Sequence, residues 1–149
     1  MGSVPLWLKP ILSQEHPLKI FRNATRPGKQ APEEWFSGDV WQEPVVEAPA
    51  PARLRALIVR FSPGARTAWH THPLGQTLYV QSGSGLVGLR GQAPQEIKPG
   101  DTVWIPPHEG HWHGAAPDQP MVHLAMQEAL DGRVADWLEH VSDADYQPD

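Results

Sequence analysis

Six short runs with strand character, each ended within a few residues by proline or glycine, constrain this chain more than any other feature. They cover residues 53–61, 76–81, 86–90, 95–98, 102–105 and 121–128. Leu, Ile, Val, Trp and Tyr dominate them, the residue types that fill a pleated, half-buried surface. Gly83-Ser84-Gly85, Pro99-Gly100-Asp101 and Pro106-Pro107 are turn signals between the runs. With 17 prolines and 13 glycines in 149 residues, there is little room for long helices. Many short strands with turns between them point to an all-β sandwich or barrel. Within the first run, Leu57, Val59 and Phe61 share one face by period two. Gly83-Ser84-Gly85 reads as a hairpin turn that pairs residues 86–90 back onto 76–81.

The flanks read differently. Residues 1–30 are mixed in character and form an extension, loose or packed on a neighbouring subunit. Residues 32–36 read as a short turn, and Pro44 to Pro51 as a proline/alanine linker. The folded body spans 31–130, and 131–149 form a C-terminal helix and tail. Val134, Trp137, Leu138 and Val141 fall at helical spacing, which predicts a helix over 133–141. Net charge is −5, so no basic surface invites nucleic acid. Cysteine is absent, which excludes disulfides and thiolate metal sites and fits a reducing cytoplasm. The apolar stretch from Val4 to Leu12 is short and broken by Pro5, Lys9 and Pro10. Neither a signal peptide nor a membrane span is expected from it.

The chemistry lies in the histidines. His70 and His72 are two apart, so an extended backbone sends both side chains from one face. Gln76 follows four residues on. Together they look like three ligands for one divalent metal, and His111 or His113 supplies a fourth. His123 and Gln127 share a face of the last run, with small Ala125 between them. Val122, Leu124 and Met126 lie opposite and can bury against the core. The polar face then looks either to solvent or into the lumen of a small barrel. A lone strand histidine is usually a surface or packing residue, so the pairs carry the weight. His16, His108, His140 and Glu109 read as surface or turn residues, and Trp69 and Trp112 as packing aromatics.

These residues spell a known pattern. Gly64, His70-Thr71-His72, Gln76 and Gly83 resemble the first cupin motif in their spacing. Gly100, Pro106 and His111 resemble the second. The first motif normally carries Glu where this chain has Gln76. The second usually has Gly and Asn where this chain has His108 and Ala115. A narrower resemblance runs from about Trp35 to Tyr146, through Ala65 to Leu78, His111 to Pro117, and His123-Leu124-Ala125 with Gln127-Glu128. Along these residues the chain is similar to the bacterial manganese-dependent cupin hydroxynitrile lyases of the (R)-mandelonitrile type.

The resemblance implies a single-domain cupin, a small antiparallel jelly-roll β-barrel with an N-terminal arm and a short C-terminal helix. It implies metal ligands at His70, His72, Gln76 and His111, and pocket roles for His113, His123 and Gln127. Leu57, Val59 and Phe61 would form the apolar substrate wall, although Leu57 is larger than the small residue expected there. One divalent transition metal per subunit is expected, manganese first, with iron, nickel or zinc also suited to imidazole. Three neutral imidazoles and a neutral amide would leave the metal its full double charge, where Glu would cancel one unit. That favours Lewis-acid chemistry over one-electron oxygen chemistry. The expected reaction is reversible cleavage of a cyanohydrin into an aldehyde and hydrogen cyanide. His113 or His123 would move the proton, and Gln127 would orient the substrate. A metal-dependent dioxygenase or oxidative carbon–carbon cleavage enzyme is the rival enzyme, and a small-ligand-binding module the rival of another class. Expected partners are a small-molecule substrate and further copies of the chain, as homodimer or homotetramer, with neither nucleic acid nor membrane.

Overall fold

The computed structural model describes residues 18–147. In chain order its strands begin with β1 (Lys29–Gln30), β2 (Phe36–Ser37), β3 (Val40–Glu47), β4 (Leu54–Phe61), β5 (Arg66–Thr67) and β6 (His70–Thr71). They continue with β7 (Gln76–Gly83), β8 (Gly85–Leu89), β9 (Gln95–Ile97), β10 (Thr102–Ile105), β11 (His111–Ala115), β12 (Met121–Glu128) and β13 (Asp136–Trp137). One short helix, α1 (Asp143–Tyr146), follows. One sheet runs β1-β3-β4-β12-β7-β10. The other runs β13-β6-β11-β5-β2, with β8 also on β11 and β9 beyond β8. All named pairs are antiparallel. This is the expected all-β jelly roll, and its core draws on both sheets: Phe36, Val59, Phe61, Val80, Ile97, Ala115 and Met121 pack in one cluster. Burying a ring such as Phe61 contributes about 2–3 kcal/mol.

Period two decides what faces inward. On β12, His123, Ala125 and Gln127 are buried, while Val122, Leu124 and Met126 are half-exposed. The polar side is therefore the lumen, and the apolar side, expected to bury against the core, is the outer surface of the sheet.

Three other expectations need correction. Gly83-Ser84-Gly85 does not fold β8 back onto β7; it carries the chain across to the other sheet, where β8 pairs with β11 and β9. The corner is tight: Gly83 has φ +82°, and a Cβ there would lie 1.9 Å from the Pro120 carbonyl oxygen. The supposed linker is half strand. Pro44 lies within β3 opposite Leu57, and the register shifts directly after it, leaving Val45 unpaired in the ladder. The helix over 133–141 is absent. Asp136 and Trp137 pair with Thr71 and His70, Leu138 N–H donates to the Trp69 carbonyl, and Trp69 N–H donates to that of Glu139. Backbone groups at the edge of β6 need these partners, and that outweighs a weak helical pattern. The short C-terminal helix forms later, at α1, capped by Ser142. Its position is held by the buried guanidinium of Arg66, which donates to the Val141 carbonyl and to Asp143 Oδ1, each at 2.9 Å. The end of the N-terminal extension joins the first sheet as β1, while the residues before Leu18 lie outside the described residues.

The corner supplies a test. Gly83→Ala should destabilise the protein by about 2–3 kcal/mol, since a backbone oxygen blocks the Cβ and the left-handed conformation adds strain. Gly91→Ala, at φ +73° with open space around it, should cost roughly 1 kcal/mol from strain alone. Urea midpoints measure both, and equal losses would contradict the packed corner.

Candidate metal centre

The inner faces of the two sheets bring the histidines together. On the first sheet, the register places Arg55, Gln127, Gln76 and Ile105 in one row across β4, β12, β7 and β10. The next inward rows hold Leu57 with Ala125 and Leu78, then Val59 with His123 and Val80. On the second sheet, His70 of β6 stands directly opposite His111 of β11, and His113 lies two residues along β11. The His70 and His111 rings are 4.2 Å apart between centroids; the His72 ring is 4.9 Å from the first and 5.3 Å from the second. Ring nitrogens of His70, His111 and His113 all lie within 4.8 Å of one another, and His72 stands beside this trio.

Backbone carbonyls decide which nitrogen of each ring is free. The Nδ1 atoms of His70, His72 and His111 lie 2.8, 2.7 and 3.0 Å from the carbonyl oxygens of Ala68, Val134 and Glu109. A carbonyl only accepts, so each Nδ1 must carry the hydrogen, and in the neutral ring Nε2 then keeps its lone pair. His72 Nε2 is buried without a hydrogen-bond partner among the described residues. Gln76 Oε1 lies 3.4 Å from His111 Nε2. Bare, buried imidazole nitrogens grouped beside an amide oxygen suit a divalent transition metal, and outer carbonyls on Nδ1 are the usual support of such ligands.

Burial is the first cause of the rings' low basicity. It pushes His70 well below the ordinary imidazole value, helped by the His111 and His72 charges. His72 is lowered by burial against the partial offset of the Val134 carbonyl, and His111 is lowered by burial to about 4. His123 is likewise pushed by burial to about 4, and His113 falls well below the usual value through burial and then the neighbouring His123. All five rings are therefore neutral at pH 7, as metal ligands must be. His113, one of the trio with His70 and His111, has its Nδ1 2.9 Å from His123 Nε2, and His113 Nε2 and His123 Nδ1 are buried without a hydrogen-bond partner among the described residues.

The remaining residues sort by position. Gln127 lies in the row of Gln76, with its Oε1 accepting from Gln76 and its Nε2 donating to the Arg55 carbonyl. Val59 and Phe61 are buried in the core, and Phe61 packs against His113 and His123. Leu57 and Gln127 also line a cleft of about 500 Å³ shared with Arg26, Lys29, Glu47, Arg55 and Val134. Trp69 and Trp112 pack with Val141 and Tyr146. His108, His140 and Glu109 side chains are exposed, and His16 lies outside the described residues. Sequence reasoning missed Trp137, whose ring stacks on His70 at 4.5 Å and on Trp35 at 5.3 Å. It also missed the Val134 carbonyl that orients His72. Both sit in the segment taken for a helix, and only its strand pairing shows them.

The low basicity has a sign that can be checked. The unfolded chain's imidazoles take up protons near pH 6.5, while the folded rings resist them, so the unfolded state binds more protons as the pH falls. Stability should therefore drop between about pH 6.5 and pH 4. For His111 and His123 the gap from 6.5 to about 4 corresponds to on the order of 3 kcal/mol per ring. The melting temperature of chelator-treated protein should fall by roughly 10 °C or more between pH 7 and pH 4.5. A flat profile would contradict neutral buried rings.

Comparison with known proteins agrees with the geometry. Residues 57–126 match the family model described as the cupin domain. An (R)-mandelonitrile lyase of Granulicella tundricola is 52% identical over 130 residues, which is 87% of this chain and 99% of that protein. A cupin-like protein of Thermotoga maritima has a TM-score of 0.77 at 38% identity, covering 87% of this chain and 95% of that one. The polyketide cyclase RemF of Streptomyces resistomycificus has a TM-score of 0.67 at 20% identity, covering 87% and 91%, a likeness of fold alone. This chain belongs to the cupin family, with an (R)-mandelonitrile lyase among its near relatives.

Proposed function

We propose that this chain is a metal-dependent lyase that reversibly cleaves cyanohydrins, (R)-mandelonitrile among them, into an aldehyde and hydrogen cyanide. The observation that carries the reading is the set of carbonyl-anchored rings grouped with His113, whose Nε2 has no hydrogen-bond partner among the described residues. The name of the 52% identical relative points the same way. His70, His72 and His111 through Nε2, with Gln76 through Oε1, would hold one divalent cation, manganese first. When bound, that cation supplies Lewis acidity toward a substrate oxygen or nitrile.

The chain's own residues account for the proton. His113 Nε2 takes the hydroxyl proton as the oxygen lone pair forms the carbonyl and the carbon–cyanide bond breaks with its electrons on cyanide. The same nitrogen then returns the proton to cyanide. For this, His113 Nδ1 carries a hydrogen donated to His123 Nε2, so His123 steadies the transient imidazolium. Substrate would enter by the cleft that Leu57 and Gln127 line, with Leu57 supplying apolar contact and Val59 and Phe61 the buried wall. No oxidant enters the balance, which separates this reading from oxygen-dependent cleavage.

Two broader features complete the reading. The outer face of the first sheet carries Ile58, Leu124 and Tyr79 in one row, with Met126 and Trp104 nearby; Trp104 is 60% exposed. We read this face as the contact of a homodimer or homotetramer. The lack of cysteine suits a cytoplasmic enzyme; no helix among the described residues is long and apolar enough to cross a membrane.

Metal-loaded protein should release benzaldehyde from mandelonitrile, lose that activity with chelator and regain it with Mn(II). His123→Ala should cut turnover by roughly 10²-fold or more with metal content unchanged. Oxygen uptake on another substrate, with no cyanohydrin cleavage, would overturn the proposal. Loss of metal together with activity in His123→Ala would make that ring structural.

A further inference from the structure

Gln76 and Gln127 are both nearly fully buried, 4% and 6% exposed, yet each side-chain amide has two chemically different ends that a fold must tell apart. The row across the first sheet settles their direction. Arg55 presents a backbone carbonyl, which only accepts, 3.0 Å from one end of the Gln127 amide. That end must be the NH₂ group, so Gln127 turns its oxygen to Gln76. The Gln76 atom 3.0 Å from that oxygen must then be its NH₂ group, which leaves Gln76 Oε1 facing the His111 ring. One backbone acceptor therefore orients two amides in series.

We infer that Gln127 is the positioning residue that makes Gln76 an oxygen donor to the histidine cluster, and that the Arg55–Gln127–Gln76 row selects a neutral amide at position 76 over a carboxylate. A glutamate at 76 would set its oxygens against Gln127 Oε1. Relieving that by turning Gln127 over would set the same oxygen against the Arg55 carbonyl. Either arrangement leaves buried acceptors facing each other, a cost of the kind that buried, unmatched polar groups carry. The resemblance noted above gives glutamate as the usual residue at this place in the motif, and this row supplies a physical reason for the amide here. Gln127 acts through Gln76: one bond at each end of its amide fixes the direction of both side chains.

This inference rests on the proposed metal site but not on the lyase reaction, and a mutant cycle separates the two. Chelator competition gives the Mn(II) dissociation constant of the wild-type chain, Gln127→Leu, Gln76→Leu and the double variant. Gln127→Leu should weaken binding roughly 10- to 100-fold in the wild-type background. In the Gln76→Leu background it should change binding by less than about 2-fold, because the ligand it positions is gone. A purely packing role predicts equal losses in both backgrounds, and that result, or no loss in the first, overturns the inference. In metal-free protein, the Gln76 side-chain NH₂ protons should exchange slowly with water and become fast in Gln127→Leu. If these protons behave so while no metal binds, the metal reading fails and the orientation stands; fast exchange in the wild-type chain sinks the inference itself.

Discussion

The site depends on hydrogen bonds from imidazole Nδ1–H groups to backbone carbonyls. A histidine side chain is free to turn and to change tautomer, and a cluster of such rings without anchors would scatter its lone pairs. Here the Ala68, Val134 and Glu109 carbonyls each take one N–H. Each anchor lies in a short segment beside a strand, and Glu109 N–H is itself bonded back to the Pro106 carbonyl. Ala68 N–H donates to the Trp35 carbonyl, and Val134 lies in the segment leading to the β13–β6 pairing. Carbonyls beside the strands thus set the rings, and the open nitrogens are oriented by the chain itself.

The same arrangement is costly on its own. Gathering polar rings in a closed lumen removes them from water and leaves three ring nitrogens without hydrogen-bond partners among the described residues. The barrel tolerates this because its other end is a well-packed apolar cluster in which Phe61 touches both His113 and His123. Burial holds the rings neutral, and neutrality makes them ligands or proton acceptors rather than a mutually repelling cluster of cations. Stability given up at the site is stability that a bound cation would restore, so folding and metal loading are linked.

Much of this was legible in the sequence, for a physical reason. Side chains in strands alternate with a period of two, so His70 with His72, His111 with His113 and His123 with Gln127 could be grouped by face before any contact was known. What alternation does not encode is which strand lies beside which. Gly83-Ser84-Gly85 reads as a turn whether the chain returns to its own sheet or crosses to the other. Asp136 and Trp137 have no strand pattern of their own; β6 makes them a strand. For the same reason the Val134 carbonyl, the stacking of Trp137 on His70 and the Arg55–Gln127–Gln76 row emerged only with the register. Whether the polar face of β12 met water or a lumen likewise turned on closure of the barrel, which no local pattern states.

The central claim is that carbonyl anchors hold His70, His72 and His111 as neutral, Nδ1-protonated rings with Nε2 open to one point. Nitrogen-15 NMR of the imidazole side chains in metal-free protein at pH 7 reads this directly. The account predicts protonated Nδ1 and unprotonated Nε2 on all three rings. Rings protonated at Nε2, or carrying both hydrogens, would contradict it.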